Sequence, residues 1–289
     1  MAESPSHRFG QIIGEMLERA IRPILAAVAR ELGLYLDGKG QRKARGTKRK
    51  VAWVDAKENT HDLDYVFELG GSDEQIGSPR AFIEIAWRRY TKHSHNKAQE
   101  IQGAILPLAE RYSDQRPFLG VILAGVFTDG SLKQLRSQGF TVLHFPYETI
   151  IAAFAAAGVD AEFGEKTPDR MVIRKVRQYE GLSSSKRESI ASFLRKSQKV
   201  EIEGFIAALR MTLTRKVNSV YVLPLHGSAR TLSGVVAAIA FIESCDESKP
   251  DPLFARYEVG IRYSNGDEVR GQFKDKATAI SFLRANHAH

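Results

Sequence analysis

Two acidic residues, Asp64 and Glu84, occupy positions in the sequence that indicate a chemical function. Glu84 interrupts the apolar run of residues 81–87, although charged side chains are almost never buried unless they are paired or bind a metal. Two carboxylates brought close together repel each other unless a cation lies between them. Hard oxygen ligands suit Mg²⁺ or Mn²⁺, and such an ion can lower the pKa of a water molecule and stabilise the leaving oxygen of a phosphodiester. The pair therefore indicates metal-dependent phosphodiester chemistry.

The spacing of the two acids predicts that they meet. Residues 63–69 and 81–87 are predicted strands, separated by the polar turn 70–79. Asp64 lies six residues before this turn and Glu84 five residues after it, so antiparallel pairing places Asp64 beside Glu84 or Ala86. The alternative is that Asp64 starts a strand at the surface, while Glu84 forms a buried salt bridge with one of the arginines that follow it.

The elements around the two acids predict an α/β fold, with a mixed sheet flanked by helices. Apolar residues at helical spacing indicate a long first helix, and the strands before residue 90 read as an antiparallel meander. The predicted order is helix 11–36, a basic glycine-containing loop 37–50, strands 51–56, 63–69 and 81–87, helix 94–112, strand 117–127, helix 131–138, strand 141–145 and helix 148–157.

The rest of the chain divides into two further segments. Residues 166–215 are charged and predicted to be mostly helical. Residues 216–289 are predicted to form a small α+β module of β-α-β-β-α order, in which Asn265-Gly266 is a strong signal for a type I′ hairpin turn. The predicted domains are therefore a core of residues 1–165, a helical segment of residues 166–215 and a module of residues 216–289.

In its acids and in the order of its elements, the stretch of residues 10–157 resembles the PD-(D/E)XK nuclease superfamily, the fold of most type II restriction endonucleases. That family carries an acid on one strand and an acid-x-Lys pattern on the next. The resemblance implies that Asp64 and Glu84 are metal ligands in a restriction-endonuclease-like core. It also implies a role in restriction or anti-phage defence.

The chain departs from the family pattern at Ala86, where the family has the lysine that orients or activates the attacking water. Some members of the family relocate catalytic residues to the following helix. Lys97 is therefore the expected substitute, Lys92 is the second candidate, and Lys57 is a more remote one. Glu100 could add a carboxylate and Gln99 a polar contact, both from the same helix as Lys97.

Cations follow Glu84 closely and also fill the loop 37–50. Guanidinium, ammonium and amide groups at the mouth of such a site suit contacts with phosphates, whereas the plain alternative is a solvated charged surface. The residues predicted to bind DNA are Arg88, Arg89, Lys92, Asn96, Lys48, Arg49 and Lys50.

The net charge, the cysteine count and the length of the apolar runs limit the kinds of protein that this chain can be. The chain of 289 residues has 42 Lys and Arg against 34 Asp and Glu, and this net charge of +8 favours a polyanionic partner. The single cysteine excludes an intramolecular disulfide and a cysteine-rich zinc site, and no apolar run is long enough to span a bilayer. A soluble cytoplasmic protein without a membrane segment is expected, and no phosphate-binding loop or serine-hydrolase motif occurs.

The sequence therefore predicts a Mg²⁺- or Mn²⁺-dependent DNA endonuclease. A homodimer would let two cores cut both strands in one encounter. One alternative is a catalytically degenerate DNA-binding protein on the same fold, which Ala86 would explain. Another is a nuclease that acts on RNA or branched DNA.

Overall fold

The computed structural model describes residues 4–90, 94–164, 166–225, 228–248 and 254–287. The chain forms two compact units, the first made of Met1–Leu108 and Leu119–Leu209 and the second of Ala109–Phe118 and Arg210–His289. Most of the segment predicted as a separate helical region, residues 166–209, thus belongs to the first unit.

The first unit is a mixed α/β structure. Its elements in chain order are α1 (Pro5–Glu31), β1 (Tyr35–Gly38), β2 (Val51–Val54), β3 (Thr60–Leu63), β4 (Tyr65–Leu69), β5 (Ser78–Arg88), α2 (Ser94–Arg111), β6 (Phe118–Gly125), α3 (Asp129–Ser137), β7 (Thr141–Pro146), α4 (Tyr147–Ala155), α5 (Asp169–Glu180), α6 (Ser184–Ser197) and α7 (Lys199–Leu213). A 3₁₀ turn, Lys43–Arg45, lies between β1 and β2.

Helix α1 is the long amphipathic helix that the apolar spacing predicts. The side chain of Ser4 caps its first turn, and a proline follows at the start, where the missing N–H costs nothing. The helix ends at Glu31 rather than at residue 36, because Gly33 takes a positive φ of 65° and the chain turns into β1. Its buried face packs on strands β1 and β5, and helices α5 and α6 pack against it.

The central sheet has the strand order β1-β4-β5-β6-β7. Strands β1, β4 and β5 pair antiparallel, whereas β6 and β7 pair parallel, so the sheet is mixed. Four consecutive residues of β6, from Val121 to Ala124, are fully buried, as expected for a strand covered on both faces.

The predicted meander is wrong in two respects. Residues 51–54 and 60–63 form a separate two-stranded sheet, held on the core by an edge-to-face contact between Trp53 and Phe82. The predicted strand 63–69 is broken at Asp64, and the edge position beside β4 is taken by residues 35–38. The pattern misleads because a four-residue strand is too short to be separated from the end of a helix or from a loop.

The basic loop 37–50 is only partly a solvated surface. Arg42 is buried, and its guanidinium donates to both oxygens of Glu68 at 2.7 and 2.9 Å and lies 2.8 Å from Asp37. Arg45 makes a second contact with Asp37 at 3.1 Å. This buried ionic cluster fastens the loop to strands β1 and β4.

The second unit is an antiparallel sheet with two helices on one face. It contains β8 (Val217–Pro224), β9 (Arg230–Leu232), α8 (Val235–Ser244), β10 (Tyr257–Tyr263), β11 (Glu268–Phe273) and α9 (Lys276–Ala285), with the strand order β11-β10-β8-β9. The Asn265-Gly266 turn joins β10 to β11, as predicted. Its type is not the predicted I′, because that type needs a positive φ at both central residues and here only Gly266, at 88°, has one. Strand β9 is an addition to the predicted β-α-β-β-α order.

Candidate functional site

Asp64 and Glu84 come together as the hairpin spacing predicts. The ladder between β4 and β5 begins with Tyr65 opposite Ile83, so Asp64 and Glu84 lie one position beyond it. The backbone N–H of Ile85 donates to Asp64 Oδ2 at 2.6 Å, which fixes the aspartate carboxylate against β5. The break between β3 and β4 at Asp64 thus turns this side chain toward the neighbouring strand instead of continuing the ladder.

Burial makes the two carboxylates an electrostatically unfavourable pair. It raises the pKa of Glu84, with a further contribution from the charge of Asp64, to about 8. Burial also raises the pKa of Asp64, although the N–H of Ile85 and the charge of Lys97 oppose this effect. The two neighbouring carboxyl groups therefore resist ionisation. A cation bound between them would stabilise their ionised forms.

Lys97 reaches this pair from the following helix. Its Nζ lies 3.7 Å from Glu84 Oε1 and 2.8 Å from Glu100 Oε1, and its side chain is only 12% exposed. The ammonium group therefore reaches Glu84 from helix α2, whereas Ala86 on β5 is buried and has no polar group. Glu100, at 62% exposure, holds Lys97 from the solvent side.

The remaining candidates for the missing lysine are placed differently. Lys92 lies outside the described residues. Lys57 lies in the turn between β2 and β3, where its backbone N–H donates to Asp55. Gln99 is exposed on α2 and contacts His95 through its amide nitrogen, rather than Glu84.

Sequence reasoning missed Glu18 on α1. A small cavity of about 40 Å³, lined by Glu18, Arg22, Lys39, Asp64 and Tyr65, opens beside the acidic pair. Burial and then the charge of Asp64 raise the pKa of Glu18, while Lys39 lowers it. The sequence carried no signal for it, because Glu18 lies to one side of the apolar stripe of α1, where a half-buried polar residue is ordinary.

The residues predicted to bind DNA fall into two groups. Lys48, Arg49, Lys50 and Asn96 are exposed, and Lys50 contacts Asp62 at 2.5 Å.

Arg88 and Arg89 are half-buried and engaged in packing contacts. Arg88 donates to the carbonyl of Trp87 and lies 3.5 Å from Glu100. The Arg89 guanidinium stacks 3.9 Å from the ring centroid of Tyr147 and donates to the carbonyl of Phe163 at 2.6 Å. These contacts give Arg89 a structural role. They explain why an arginine follows Glu84 in the chain without invoking a contact with DNA.

The described residues include no group of three or more His, Cys, Asp and Glu side chains arranged to hold a metal ion. Two carboxylates are nevertheless a donor set of the kind that Mg²⁺ uses, because this ion usually keeps several waters and takes one or two protein carboxylates. In the same described part of the chain, no helix is long and apolar enough to cross a membrane.

Comparisons with known proteins add a single weak likeness. No protein-family model matches the chain, and no curated protein matches it. The crystal structure of the protein of unknown function AF1548 is similar over 63% of this chain and 96% of that one, at 12% identity and a TM-score of 0.25. A likeness at this level carries no argument about fold or function.

Proposed function

We propose that this protein is a metal-dependent DNA endonuclease of the PD-(D/E)XK type, with Asp64, Glu84 and Lys97 as its catalytic centre. The observation that carries the proposal is the convergence of these side chains from the break between β3 and β4, from strand β5 and from helix α2. Lys97 approaches Glu84 to 3.7 Å, although the two residues are 13 positions apart and the expected strand position holds Ala86. An ionic contact alone would not require the second acid, Asp64, at the same point.

Each residue has a distinct role in the proposed reaction. Asp64 and Glu84 would hold Mg²⁺, which supplies charge stabilisation at the phosphate and a more acidic water. The N–H of Ile85 keeps the Asp64 carboxylate oriented. Lys97 would donate a hydrogen bond to the attacking water or to a phosphate oxygen, and Glu100 orients the Lys97 side chain.

Contacts with the DNA backbone are assigned to the exposed cations. Lys48, Arg49 and Lys50 form a consecutive basic segment in the loop that the buried Arg42 fastens to the core. A mobile ammonium or guanidinium on a fixed base suits phosphate contacts that position the duplex without reading its sequence.

The test is cleavage of plasmid DNA and of unmethylated phage DNA with Mg²⁺ or Mn²⁺. Wild-type protein is expected to cut, whereas Asp64→Asn, Glu84→Gln and Lys97→Met are expected to lose cutting and to keep duplex binding. Glu74→Gln is the matched control, because Glu74 is an exposed carboxylate that pairs with the exposed Lys43. Cleavage that survives all three substitutions contradicts the proposal.

A second candidate function is a DNA-binding protein with a degenerate core. The observation that favours it is Ala86 on β5, a buried residue without a polar group at the position where the family pattern has lysine. Salt-dependent duplex binding by a chain that never cuts, with either ion, would establish this alternative. Parallel reactions on RNA and on branched DNA test the remaining substrates, and the homodimer stays a prediction for sedimentation measurements.

A further inference from the structure

In the described part of the second unit, neither α8 nor α9 covers one face of the four-stranded sheet. Helices α8 and α9 pack on the other face, where Val220, Val222, Val259 and Ile261 are buried. The open face forms a concave site of about 560 Å³, within the range of natural ligand sites. A site of this size on a folded module is large enough for a nucleotide.

The centre of the open face is a row of four residues across the strands. The register aligns Thr231, Tyr221, Gly260 and Arg270, in this order. Tyr221 is 40% exposed, which is high for an aromatic side chain in a strand. Gly260 has no side chain, and a Cβ added there would lie 3.5 Å from Glu268 Oε1 and 3.9 Å from Tyr221 Cβ. The glycine thus keeps the floor between these side chains low, so a flat ring can lie over the tyrosine and across the glycine.

One end of the site is cationic. The neighbouring row aligns Ser219, Arg262 and Glu268. Glu268 accepts two hydrogen bonds from Arg270, at 3.0 and 3.2 Å, and lies 3.9 Å from Arg262. One carboxylate shared by two guanidiniums leaves a net positive charge, which suits a phosphate group.

The other end of the site offers hydrogen-bond acceptors. Here the register aligns Leu223, Glu258 and Gln272, and the Gln272 amide donates to Glu258 Oε1 at 3.2 Å. Arg256 lies 2.8 Å from the same oxygen. A carboxylate at this position can accept from an exocyclic amino group, as carboxylates do from the N4 amino group of cytosine.

We propose that this face binds an unpaired base of single-stranded DNA, stacked on Tyr221, with its phosphate at Arg262 and Arg270 and its amino edge at Glu258. An aromatic residue on an open sheet, flanked by arginines, is the general arrangement by which proteins hold single strands. Only the choice of DNA over RNA rests on the proposed nuclease function. The binding site itself needs neither metal nor the acidic pair.

The experiment measures fluorescence anisotropy of a labelled oligodeoxycytidylate of about 12 nucleotides with the full chain in EDTA. Tyr221→Ala is expected to weaken binding about 5- to 150-fold, whereas Tyr221→Phe keeps most of it. Arg262→Gln and Arg270→Gln should each reduce the slope of log K against log salt by about 0.7. Glu258→Gln should lower the preference for oligodeoxycytidylate over oligothymidylate by about fivefold or more.

Controls separate this inference from the nuclease proposal. Arg284→Gln removes the same charge from exposed α9, in the helix layer behind the sheet, and should leave binding unchanged. The readout is binding in EDTA, so single-strand binding that depends on Tyr221 stands even if no DNA is ever cut. Thermal melting verifies that each variant is folded. Equal binding of oligodeoxycytidylate by wild type and Tyr221→Ala overturns the inference, and so does a Tyr221→Ala variant that loses as much duplex binding as single-strand binding. Much tighter binding of oligocytidylate RNA overturns the assignment to DNA.

Discussion

Replacing Glu84 by glutamine should stabilise the metal-free protein at alkaline pH. The folded protein raises the pKa of Glu84 from its ordinary 4.5 to about 8, because the carboxylate is buried beside Asp64. A carboxyl group with a raised pKa favours folding fully below about pH 4.5, and this contribution is lost as pH rises toward 8. Glutamine keeps the shape of the neutral acid and cannot ionise. The Glu84→Gln variant therefore does not lose this contribution to folding as pH rises.

The magnitude follows from the shift in pKa. A change from 4.5 to about 8 sets an upper limit of about 5 kcal/mol for the advantage of Glu84→Gln above pH 8. Because Glu84 is 18% exposed, water relieves part of this cost, and we expect about 1–3 kcal/mol. Below about pH 5 the two proteins should differ little.

The assay is urea denaturation of wild type and Glu84→Gln in EDTA at pH 5, 7 and 9, with Glu74→Gln as the control. The advantage of Glu84→Gln should grow with pH, whereas Glu74→Gln should track wild type within about 0.5 kcal/mol, since its carboxylate is exposed. Adding Mg²⁺ at pH 9 should restore stability to wild type more than to Glu84→Gln. A difference that does not change with pH, or a Glu84→Gln variant less stable at pH 9, refutes the reasoning.

Four further substitutions test the site and its scaffold. Lys97→Met should shift Mg²⁺ binding, measured by calorimetry, to higher pH, because the charge of Lys97 lowers the pKa of Glu84; an unchanged pH profile contradicts this. Arg42→Gln should cost about 3–5 kcal/mol in urea denaturation, because it leaves buried acids without their partner, and a loss below about 1 kcal/mol would count against that cluster. Gly125→Ala should destabilise the folded protein by about 2–5 kcal/mol, because the φ of Gly125 is 93° and an added Cβ would overlap neighbouring backbone. Gly103→Ala on α2 is its control, because an added Cβ there meets no atom within 4 Å. It should stabilise the protein by about 0.5–1 kcal/mol in the same assay.

Local patterns were sufficient for most of the elements. Apolar spacing along α1 and the Asn265-Gly266 turn depend on neighbouring residues, and both were predictable. The approach of Asp64 to Glu84 was also predictable, because a hairpin sets the pairing of its own strands through the length of its turn. Short strands such as β1 and β9 were not, since four residues or fewer carry no distinct period.

The sequence by itself determined the α/β character, the acidic pair and the absence of a lysine at position 86. Only the tertiary structure decided that Lys97 contacts Glu84, that Glu18 lines a cavity with Asp64 and that Arg42 is buried in an ionic cluster. These contacts join elements far apart in the chain. Their geometry depends on how helices α1 and α2 pack on the sheet, which one-dimensional spacing does not contain.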